Sequence, residues 1–381
     1  MKVTVIALFI AVAIPFQLSP PRKTIRVAVN KNLELFGLMM QLDMGPDLAA
    51  STDSVVIENK KSTWRDWYAL AWKNYQRYKA FDGSGVMTLW RQYQGKGIFN
   101  DFFIGFLLQV DEAPFAKLNR HTDTAAIMAF SPRGSWAEAS KNAGAFLTAF
   151  NEFYRSIHFD QYLEQNKAYY TRIVSDVSKN LPAPSFISVM EGFYRKSFAA
   201  YYLIPVLNIP TSMGFGKFNK ATNTVYNAFG PFSFQTFDPK RLDLGFDYPE
   251  KIRALSVHEF GHPFANSAID KFPEELIKST QYLYLPIKEE MSKQAYTNWT
   301  ICLYEHFVRA GEIVIARKMG HPEIAEKGLQ ENVTKSHFIY LPFIVQELTA
   351  FDKNPDPQKS YDDFAATVLL HLKEANKQPA P

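Results

Sequence analysis

Apolar and aromatic residues are spaced differently in successive parts of the chain. Over residues 63 to about 118 and 136 to about 180 they recur at intervals of three and four positions, a pattern that predicts amphipathic helices. Glycine-containing stretches at 82–85 and 95–97 divide the first block into shorter helices. Helices so rich in Phe and Tyr are typical of a packed scaffold rather than of a ligand site.

The pattern changes near residue 196. The segments 198–209 and 223–234 are rich in β-branched and aromatic residues, and turn-forming residues lie between them, which predicts strands and hairpins. Helical spacing returns after Phe246 and continues, with interruptions, to about Glu374. This half of the chain therefore predicts a small β-sheet followed by further helices.

Together these patterns predict an α+β fold that is mostly α. A mainly helical N-terminal scaffold is expected over residues 20–195, and a second part over residues 196–381 is expected to hold the sheet and the later helices. An alternation of Ile25, Val27 and Val29 before helical spacing begins indicates a short strand near the start of the first part.

The first residues predict an export signal. Lys2 precedes an apolar run over 3–16, and Ser19 and two prolines follow it, a pattern typical of a secretory signal over residues 1–19. The run is shorter than the roughly 20 residues that a membrane-spanning helix needs, and no cysteine follows it, so neither a stable membrane anchor nor a lipoprotein is expected. The prediction is an exported protein, periplasmic or extracellular in a bacterium. A buried N-terminal strand or helix is the alternative.

The amino-acid composition excludes several classes of protein but does not indicate a catalytic activity. The 381 residues are 47% hydrophobic and 21% charged, which indicates a globular protein. With 42 Lys and Arg against 38 Asp and Glu the net charge is +4, too small an excess to predict a nucleic-acid partner. The single cysteine, Cys302, excludes an intrachain disulfide and a cysteine-rich metal site, and its apolar neighbours are typical of a core position.

Residues 258–262, with the sequence HEFGH, match the HExxH motif. On a helix, positions i and i+4 lie on one face, so the imidazoles of His258 and His262 can bind one ion. Neutral imidazole is a preferred ligand of Zn²⁺, and a catalytic zinc site keeps three protein ligands and one position for water. Glu259 is then placed to act as the general base toward that water.

The residues around the motif both favour and oppose a regular helix. Pro249 and Glu250 are typical of a helix start, and the apolar residues that follow predict a buried helix. Pro263 directly follows the motif and predicts that the helix ends or kinks there. This break in a local rule indicates either strain at a functional site or a motif that has lost its function.

A third metal ligand is expected from the apolar helix predicted over 299–310. Glu305 lies there among apolar residues, and a buried carboxylate needs a cation, for which zinc is the leading candidate. Arg309, one turn later, is expected to orient Glu305; a plain Glu305–Arg309 ion pair without metal is the alternative. His306 is the competing ligand, although it points about 100° away from Glu305. Glu312, on roughly the same face, is a weaker ligand candidate or a partner of Arg309.

Further polar residues complete the predicted site. Asn266 lies one turn after His262 and is a candidate to support the metal ligands. A donor that stabilises the oxyanion of a tetrahedral intermediate is expected downstream, with Tyr340, His337 and His321 as candidates. A structural role is the competing interpretation for each of these three.

The HExxH motif followed at a distance by a helical glutamate resembles the gluzincin-type zinc metallopeptidases, the clan that includes thermolysin and neprilysin. The strings HEFGHPFANS and YEHFVRA resemble, more closely, a bacterial family of predicted secreted peptidases of that type, over most of the mature chain. The resemblance implies a zincin-like part around the motif helix, zinc on His258, His262 and Glu305, and Glu259 as the base.

Other features depart from that clan. Its members often carry an Asp four residues after the ligand Glu, where this chain has Arg309, and its aminopeptidases carry a GxMEN signature that is missing here. These departures argue against a standard aminopeptidase. In the clan an edge strand before the motif helix binds the substrate backbone, and 198–209 or 223–234 is expected to serve, with ordinary core strands as the alternative.

The resulting prediction is an exported zinc-dependent metallopeptidase that hydrolyses a peptide or protein substrate. The alternative is a catalytically inactive zincin-fold binding protein, which Arg309 and Pro263 favour. Metal-assisted hydrolysis of a non-peptide bond is a weaker third hypothesis. The sequence predicts neither the cleaved bond nor the oligomeric state.

Overall fold

The computed structural model of the protein describes residues 23–57, 59–354 and 360–376. The predicted export signal over 1–19 lies outside these residues. Helices dominate the described residues and strands are few, so the predicted α+β, mostly α fold class is confirmed. Within the described part of the chain, no helix combines the length and the apolar character that crossing a membrane requires.

The strands form one four-stranded sheet and one separate hairpin. In chain order they are β1 Ile25–Val27, β2 Ser54–Ile57, β3 Lys60–Thr63, β4 Ala200–Pro205, β5 Gly214–Asn219 and β6 Thr224–Phe229. The sheet has the order β1-β4-β6-β5, in which β4 pairs in parallel with β1 and β6, and β5 pairs antiparallel to β6. The hairpin consists of β2 and β3. Among the described residues β5 is therefore an edge strand, while β4 and β6 are interior.

The N-terminal part contains two long helices, Lys31–Ala50 and Trp136–Ser156, among shorter ones. The side chain of Asn30 accepts a hydrogen bond from the backbone N–H of Leu33 and so caps the first long helix. The predicted break at 82–85 separates a short 3₁₀ helix, Lys79–Phe81, from a helix that begins at Gly85. The helices are α1 Lys31–Ala50, α2 Trp64–Trp67, α3 Ala69–Tyr78, α4 Gly85–Gln94, α5 Asn100–Leu107, α6 Thr124–Met128, α7 Trp136–Ser156, α8 Phe159–Gln165, α9 Lys167–Lys179 and α10 Phe186–Tyr194.

The C-terminal part is helical after the sheet. Pro249 occupies the first turn of the motif helix, with Glu250 near the positive end of the helix dipole, as predicted. The side chain of Asn298 caps the helix that carries Glu305, because it accepts a hydrogen bond from the N–H of Ile301. The helices are α11 Pro249–Ile269, α12 Glu274–Thr280, α13 Lys288–Lys293, α14 Trp299–Lys318, α15 Pro322–Thr334, α16 Leu341–Lys353 and α17 Tyr361–Ala375, with a 3₁₀ helix at Gln281–Ile287.

The sheet separates two hydrophobic cores. Along β4, Tyr201 and Leu203 are buried in the core that contains the C-terminal helices, whereas Ile204 is buried in the core of the N-terminal helices. The strand β6 alternates in the same way, with Val225 in the first core and Ala228 in the second. Successive side chains of a strand point to opposite faces, so each face of the sheet is covered by helices. The motif helix α11 packs against β5 and β6.

A buried carboxylate ties the N-terminal helices to the sheet. Glu34 of α1 is fully buried and accepts hydrogen bonds from the backbone N–H groups of Leu207 and Asn208, just after β4, at 2.7 and 3.1 Å. The Asn208 side chain in turn donates to the Glu34 carbonyl. Burial raises the pKa of Glu34 from 4.5 to about 8, although the two N–H donors oppose the shift. Burial therefore favours the neutral, protonated form of this carboxyl group in the folded protein.

Candidate metal centre

Two helices bring the three predicted metal ligands together. His258 and His262 lie one turn apart on α11, and Glu305 lies on α14, which packs against α11. The Nε2 atoms of the two histidines are 3.2 Å apart. Glu305 Oε2 lies 3.7 Å from His258 Nε2, and Glu305 Oε1 lies 3.6 Å from His262 Nε2. One ligand atom from each residue falls within 4.8 Å of the others.

The spacing and chemistry of these atoms fit a tetrahedral zinc ion. Ligand atoms about 2.0–2.2 Å from zinc, at tetrahedral angles, are separated by about 3.3–3.6 Å. The separation of 3.2 Å between the two histidine Nε2 atoms is close to that range, and each Nε2 lies 3.6 or 3.7 Å from a different oxygen of the Glu305 carboxylate. Glu305 Oε2 is also buried and has no hydrogen-bond partner among the described residues. A buried carboxylate oxygen without a donor is costly unless a cation faces it, and a bound metal would be such a cation.

Glu312 contacts the Nδ1 atom of His258. Its Oε1 lies 2.5 Å from His258 Nδ1, the ring nitrogen that does not face Glu305. Burial disfavours the charged imidazole, but the charge and hydrogen bond of Glu312 outweigh it and raise the pKa of His258 to about 9. Burial likewise disfavours the charged form of Glu312, but His258 and Arg309 outweigh it and lower the pKa of Glu312. A carboxylate on Nδ1 fixes the ring and makes Nε2 a stronger metal ligand.

This role of Glu312 differs from the two that the sequence suggested. Glu312 is not a member of the ligand cluster, and Arg309 lowers its pKa through space without an ion pair among the described contacts. Glu312 follows Glu305 by seven residues, or about two helical turns, so both carboxylates lie on the same face of α14. That spacing is the sequence signal by which a support for the neighbouring histidine could have been found.

Asn266 and Arg309 lie beside the ligands. His262 Nδ1 faces Asn266 Oδ1 at 3.3 Å, which leaves Nε2 of His262 for a metal. Arg309 Nη2 lies 3.4 Å from Glu305 Oε2, close enough for an ion pair but without hydrogen-bond geometry. The structure therefore places the Arg309 cation next to the candidate ligand Glu305 on one side, while the two histidines face Glu305 on another.

Arg309 is fixed by groups that the sequence did not suggest. Its Nη1 donates to Asn332 Oδ1 at 2.9 Å, its Nη2 donates to the Tyr296 hydroxyl at 3.3 Å, and its guanidinium lies 4.6 Å from the centre of the Phe338 ring. Burial and the nearby Glu305 carboxylate raise the pKa of Tyr296. Tyr296 is therefore a neutral phenol beside the ligand cluster, and no spacing rule in the sequence pointed to it.

Glu259 lies where α11 meets the edge strand β5. Its side chain is half-buried, and Gly216 of β5 packs directly against it. A Cβ added to Gly216 would lie 2.7 Å from Glu259 Oε2 and 2.6 Å from the Glu259 carbonyl oxygen. Contacts this short cannot be accommodated in a packed interface, so glycine is required for β5 to approach the residue. The candidate base thus sits between the two ligand histidines in sequence and beside an open strand edge in space.

The sequence predicted that the motif helix ends or kinks at Pro263, and the predicted end is wrong. The helix α11 continues through Pro263, which is buried, to Ile269. Pro263 lacks the N–H that would donate to the carbonyl four residues earlier, which is that of Glu259. This carbonyl packs against Gly216 of β5, so the sheet contacts the helix at the turn where one internal hydrogen bond is missing.

The prediction of the substrate-binding edge strand is also wrong. The segments 198–209 and 223–234 contain β4 and β6, which are interior strands, as the alternative interpretation expected. The edge strand beside α11 is β5, which lies between them in the sequence. The sequence pattern did not predict β5 as a strand, because Gly214 and Gly216 weaken the strand pattern. The contact with Glu259 nevertheless requires glycine at position 216.

Comparison with known families adds one result. A family model described as Domain of unknown function (DUF4932) matches residues 105–370, more than two thirds of the chain. The chain belongs to the DUF4932 family. The matched region runs from α5 into α17 and contains the whole metal-ligand cluster. Comparisons with curated proteins and with solved structures give no significant match.

Two other residues of this DUF4932 protein do not take the roles considered for them. Tyr340 is buried, and its hydroxyl donates to the Leu283 carbonyl at 2.7 Å, so its prediction as oxyanion donor is wrong. Its ring packs against His306, which is fully buried and donates through Nδ1 to the Cys302 carbonyl. Burial lowers the pKa of His306 to about 4. His306 is thus a core histidine, and helical geometry turns it away from the face that Glu305 occupies.

The alternative donors also lie outside the ligand cluster among the described residues. His337 Nε2 is 3.9 Å from Glu290 and its side chain is half exposed. His321 precedes α15 and lies 3.7 Å from Glu323. Their contacts are those of surface histidines near carboxylates, which was the structural interpretation for both.

A tyrosine hydroxyl lies between the two helices that carry the candidate ligands. Tyr194 is buried, its ring stacks on Phe264 of α11, and its hydroxyl lies between Gly261 of α11 and Gly311 of α14. That hydroxyl has no hydrogen-bond partner among the described residues. A Cβ added at Gly311 would overlap this hydroxyl, whereas one added at Gly261 would lie 3.3 Å from it, so Gly311 is the position that leaves room for the phenol.

Proposed function

We propose that this DUF4932 protein is an exported zinc-dependent peptidase. The observation that carries the proposal is the arrangement of His258, His262 and Glu305 at zinc-ligand spacing, with Glu259 on the same helix as both histidines. When bound, zinc supplies Lewis acidity, which makes water more acidic and polarises a carbonyl group. The three residues would hold the ion through Nε2 of each histidine and the carboxylate of Glu305.

The remaining steps fall to the chain's own side chains. Glu259 is placed to accept a proton from the attacking water and to return it to the leaving amine. Glu312 and Asn266 engage the Nδ1 atoms of His258 and His262, so that both Nε2 atoms stay directed at the metal position. With Tyr340 excluded, the Tyr296 hydroxyl beside Glu305 is the candidate donor to a developing oxyanion.

Strand β5 favours a peptide as the substrate. Its outer edge has no strand partner among the described residues, so its backbone groups are available to pair with an extended peptide. Because Gly216 of this strand packs against Glu259, a peptide added to the edge would pass next to the base. Small non-peptide substrates would gain nothing from such an edge.

The second candidate is a zincin-fold binding protein without turnover. Arg309 favours it, because a cation 3.4 Å from Glu305 Oε2 competes with a metal for the charge of that carboxylate. This candidate keeps the peptide-binding edge of β5 but predicts no role for Glu259 in proton transfer.

The test is zinc content and peptide hydrolysis of the purified full chain and its variants. Wild-type protein is expected to hold one zinc per chain and to cleave members of a fluorogenic peptide library. Glu259→Gln should keep zinc and lose about 10²–10⁴-fold in kcat, since the general base is gone but the ligands remain. His258→Ala should lose both zinc and activity.

His337→Ala, a change at a half-exposed histidine, is the matched control and should alter neither property. A wild-type protein that takes up no zinc would contradict the proposal. Zinc uptake without cleavage of any peptide, in wild type and Glu259→Gln alike, would favour the binding protein instead.

The export part of the proposal rests on Lys2 and the apolar run over 3–16. N-terminal sequencing of protein recovered outside the bacterial cytoplasm is expected to begin after the apolar run. Recovery in the cytoplasm with residue 1 or 2 at the N-terminus would contradict export.

A further inference from the structure

A cavity of about 500 Å³ lies behind the metal centre. Helices α11, α14 and α15 and the segment after α9 enclose it, and most of its wall is apolar, including Val257, Ile313, Met319 and Ala325. A cavity of this size and character is within the range that holds a small organic molecule. The three candidate metal ligands and Glu259 do not line it, so it adjoins the site proposed for hydrolysis only through Glu312 and does not include the ligands or the base.

Two charged residues of opposite sign stand out in the wall. Arg253 of α11 is half-buried and has no hydrogen bond or ion pair among the described residues, whereas Lys179, which also lines the cavity, is paired with Asp176 and Asp247. Glu312 lines the cavity as well, while its Oε1 binds His258. A half-buried guanidinium beside an apolar wall lacks the anion that its five donors could bind.

The two charged residues lie on different helices, Arg253 on α11 and Glu312 on α14. Arg253 precedes His258, the partner of Glu312, by five residues, which is about 7.5 Å along the axis of α11. The anionic group of an occupant is therefore expected at the Arg253 guanidinium and not beside the Glu312 carboxylate, which would repel it. A second anionic group at the other end would be repelled.

We propose that this cavity binds a small amphiphilic monocarboxylate, with its carboxylate on the Arg253 guanidinium and its apolar body between α11, α14 and α15. The inference is independent of the proposed hydrolysis, because none of the residues that it uses is a metal ligand or the base. Straight-chain fatty acids and the carboxylates of apolar N-acyl amino acids share this chemistry.

The test is isothermal titration of the full chain, with and without added zinc, using octanoate, octanol and N-acetyl-leucine. Octanoate or N-acetyl-leucine is expected to bind one molecule per chain, and the tighter of the two identifies the class of carboxylate. Octanol, which has the apolar body but no charge, should bind at least about tenfold more weakly than octanoate if the straight-chain class is correct.

Two variants test the position of the ligand. Arg253→Gln should weaken binding at least about tenfold, while Arg253→Lys, which keeps the charge, should weaken it less. Gly328→Leu should abolish binding, because Gly328 lines the cavity and a side chain there enters open space, so the variant is expected to fold. Glu326→Gln, on the exposed surface of the same helix, is the control.

Circular dichroism and thermal melting of each variant confirm the fold before titration. Binding of neither carboxylate, or binding that survives both Arg253→Gln and Gly328→Leu, would overturn the proposal. Equal affinity for octanol and octanoate would overturn the assignment of Arg253 as the anion partner. Since the titration is made without zinc as well, failure of the peptidase proposal would leave this result unchanged.

Discussion

Glu312 Oε1 lies 2.5 Å from His258 Nδ1, so a carboxylate seven residues after the candidate ligand Glu305 contacts the first histidine of the motif. In the clan that the sequence resembles, an Asp often stands four residues after the ligand glutamate, and this chain has Arg309 there. This chain therefore lacks a carboxylate at position 309, but it has one at Glu312, about one turn further along α14. Because Glu312 supplies a carboxylate near His258, the presence of Arg309 at the position of the clan's Asp counts less strongly against metal binding than the sequence alone indicated.

Glu312→Gln is expected to weaken zinc binding by about 10–100-fold, because the neutral amide cannot act as the anionic partner of His258 Nδ1. Competition with a chromophoric chelator at pH 7.5 measures the affinity. Glu326→Gln, at an exposed carboxylate 3.9 Å from Arg317, is the control and should leave the affinity unchanged. Equal affinities of wild type and Glu312→Gln would mean that the contact does not support the metal site.

Gly216→Ala is expected to lower the free energy of unfolding by about 1–3 kcal/mol, because the new methyl group meets both the backbone and the carboxylate of Glu259. The same displacement of β5 should reduce peptide hydrolysis. Urea unfolding gives the first quantity and a fluorogenic assay the second. Gly83→Ala, where an added Cβ has open space, should do neither. An unchanged urea midpoint for Gly216→Ala would show that β5 does not need glycine there.

Much of the fold followed from spacing alone. Periodicity predicted the helical blocks and the motif helix, and Pro249 and Glu250 located the start of that helix, because these signals act within a few residues along the chain. The HExxH spacing and the apolar setting of Glu305 indicated residues that the structure brings within 4.8 Å of one another. Rules that depend only on nearby residues are enough to predict which side chains lie together when those side chains belong to one helix, because helix geometry fixes their relative positions.

The predictions that were wrong concern residues whose structure or role depends on contacts with an element distant in the sequence. Pro263 does not end α11, which continues to Ile269, and the Glu259 carbonyl that the proline leaves without a donor packs against Gly216 of β5. Tyr340 was a reasonable donor by residue type, but its hydroxyl is used by the Leu283 carbonyl in the core. Such contacts join residues tens of positions apart, and no pattern within a single segment contains them.

Gly311→Ala is expected to destabilise the protein by about 1–3 kcal/mol, because the added methyl group overlaps the buried hydroxyl of Tyr194. Tyr194→Phe removes a hydroxyl that has no hydrogen-bond partner among the described residues, so by itself it should cost little. The double variant should recover at least about 0.5 kcal/mol relative to the sum of the single changes.

Urea unfolding of the four proteins completes that cycle. Gly192→Ala, a helical glycine with open space around it, is the control and is expected to be neutral or stabilising by up to about 1 kcal/mol. Strictly additive effects of Gly311→Ala and Tyr194→Phe would contradict the contact between the two residues.

The buried Glu34 carboxyl predicts a pH dependence of stability with a defined sign. Its pKa is about 8 in the folded protein and 4.5 as the ordinary value, so between these values the folded state binds more protons than the unfolded state. The contribution of this group is therefore fully present below pH 4.5 and is lost as the pH rises toward 8. Over that window the free energy of unfolding should fall by at most about 1.4 kcal/mol per pH unit from this group.

Glu34→Gln cannot titrate, so the difference in unfolding free energy between wild type and this variant isolates the effect. Urea unfolding at pH 5, 6, 7 and 8 is expected to show that difference falling steadily as the pH rises. Glu164→Gln, at an exposed carboxylate near Lys167, is the control and should give a flat difference. A difference that rises with pH for Glu34→Gln would mean that the carboxylate is ionised in the folded protein, and that the N–H groups of Leu207 and Asn208 outweigh its burial.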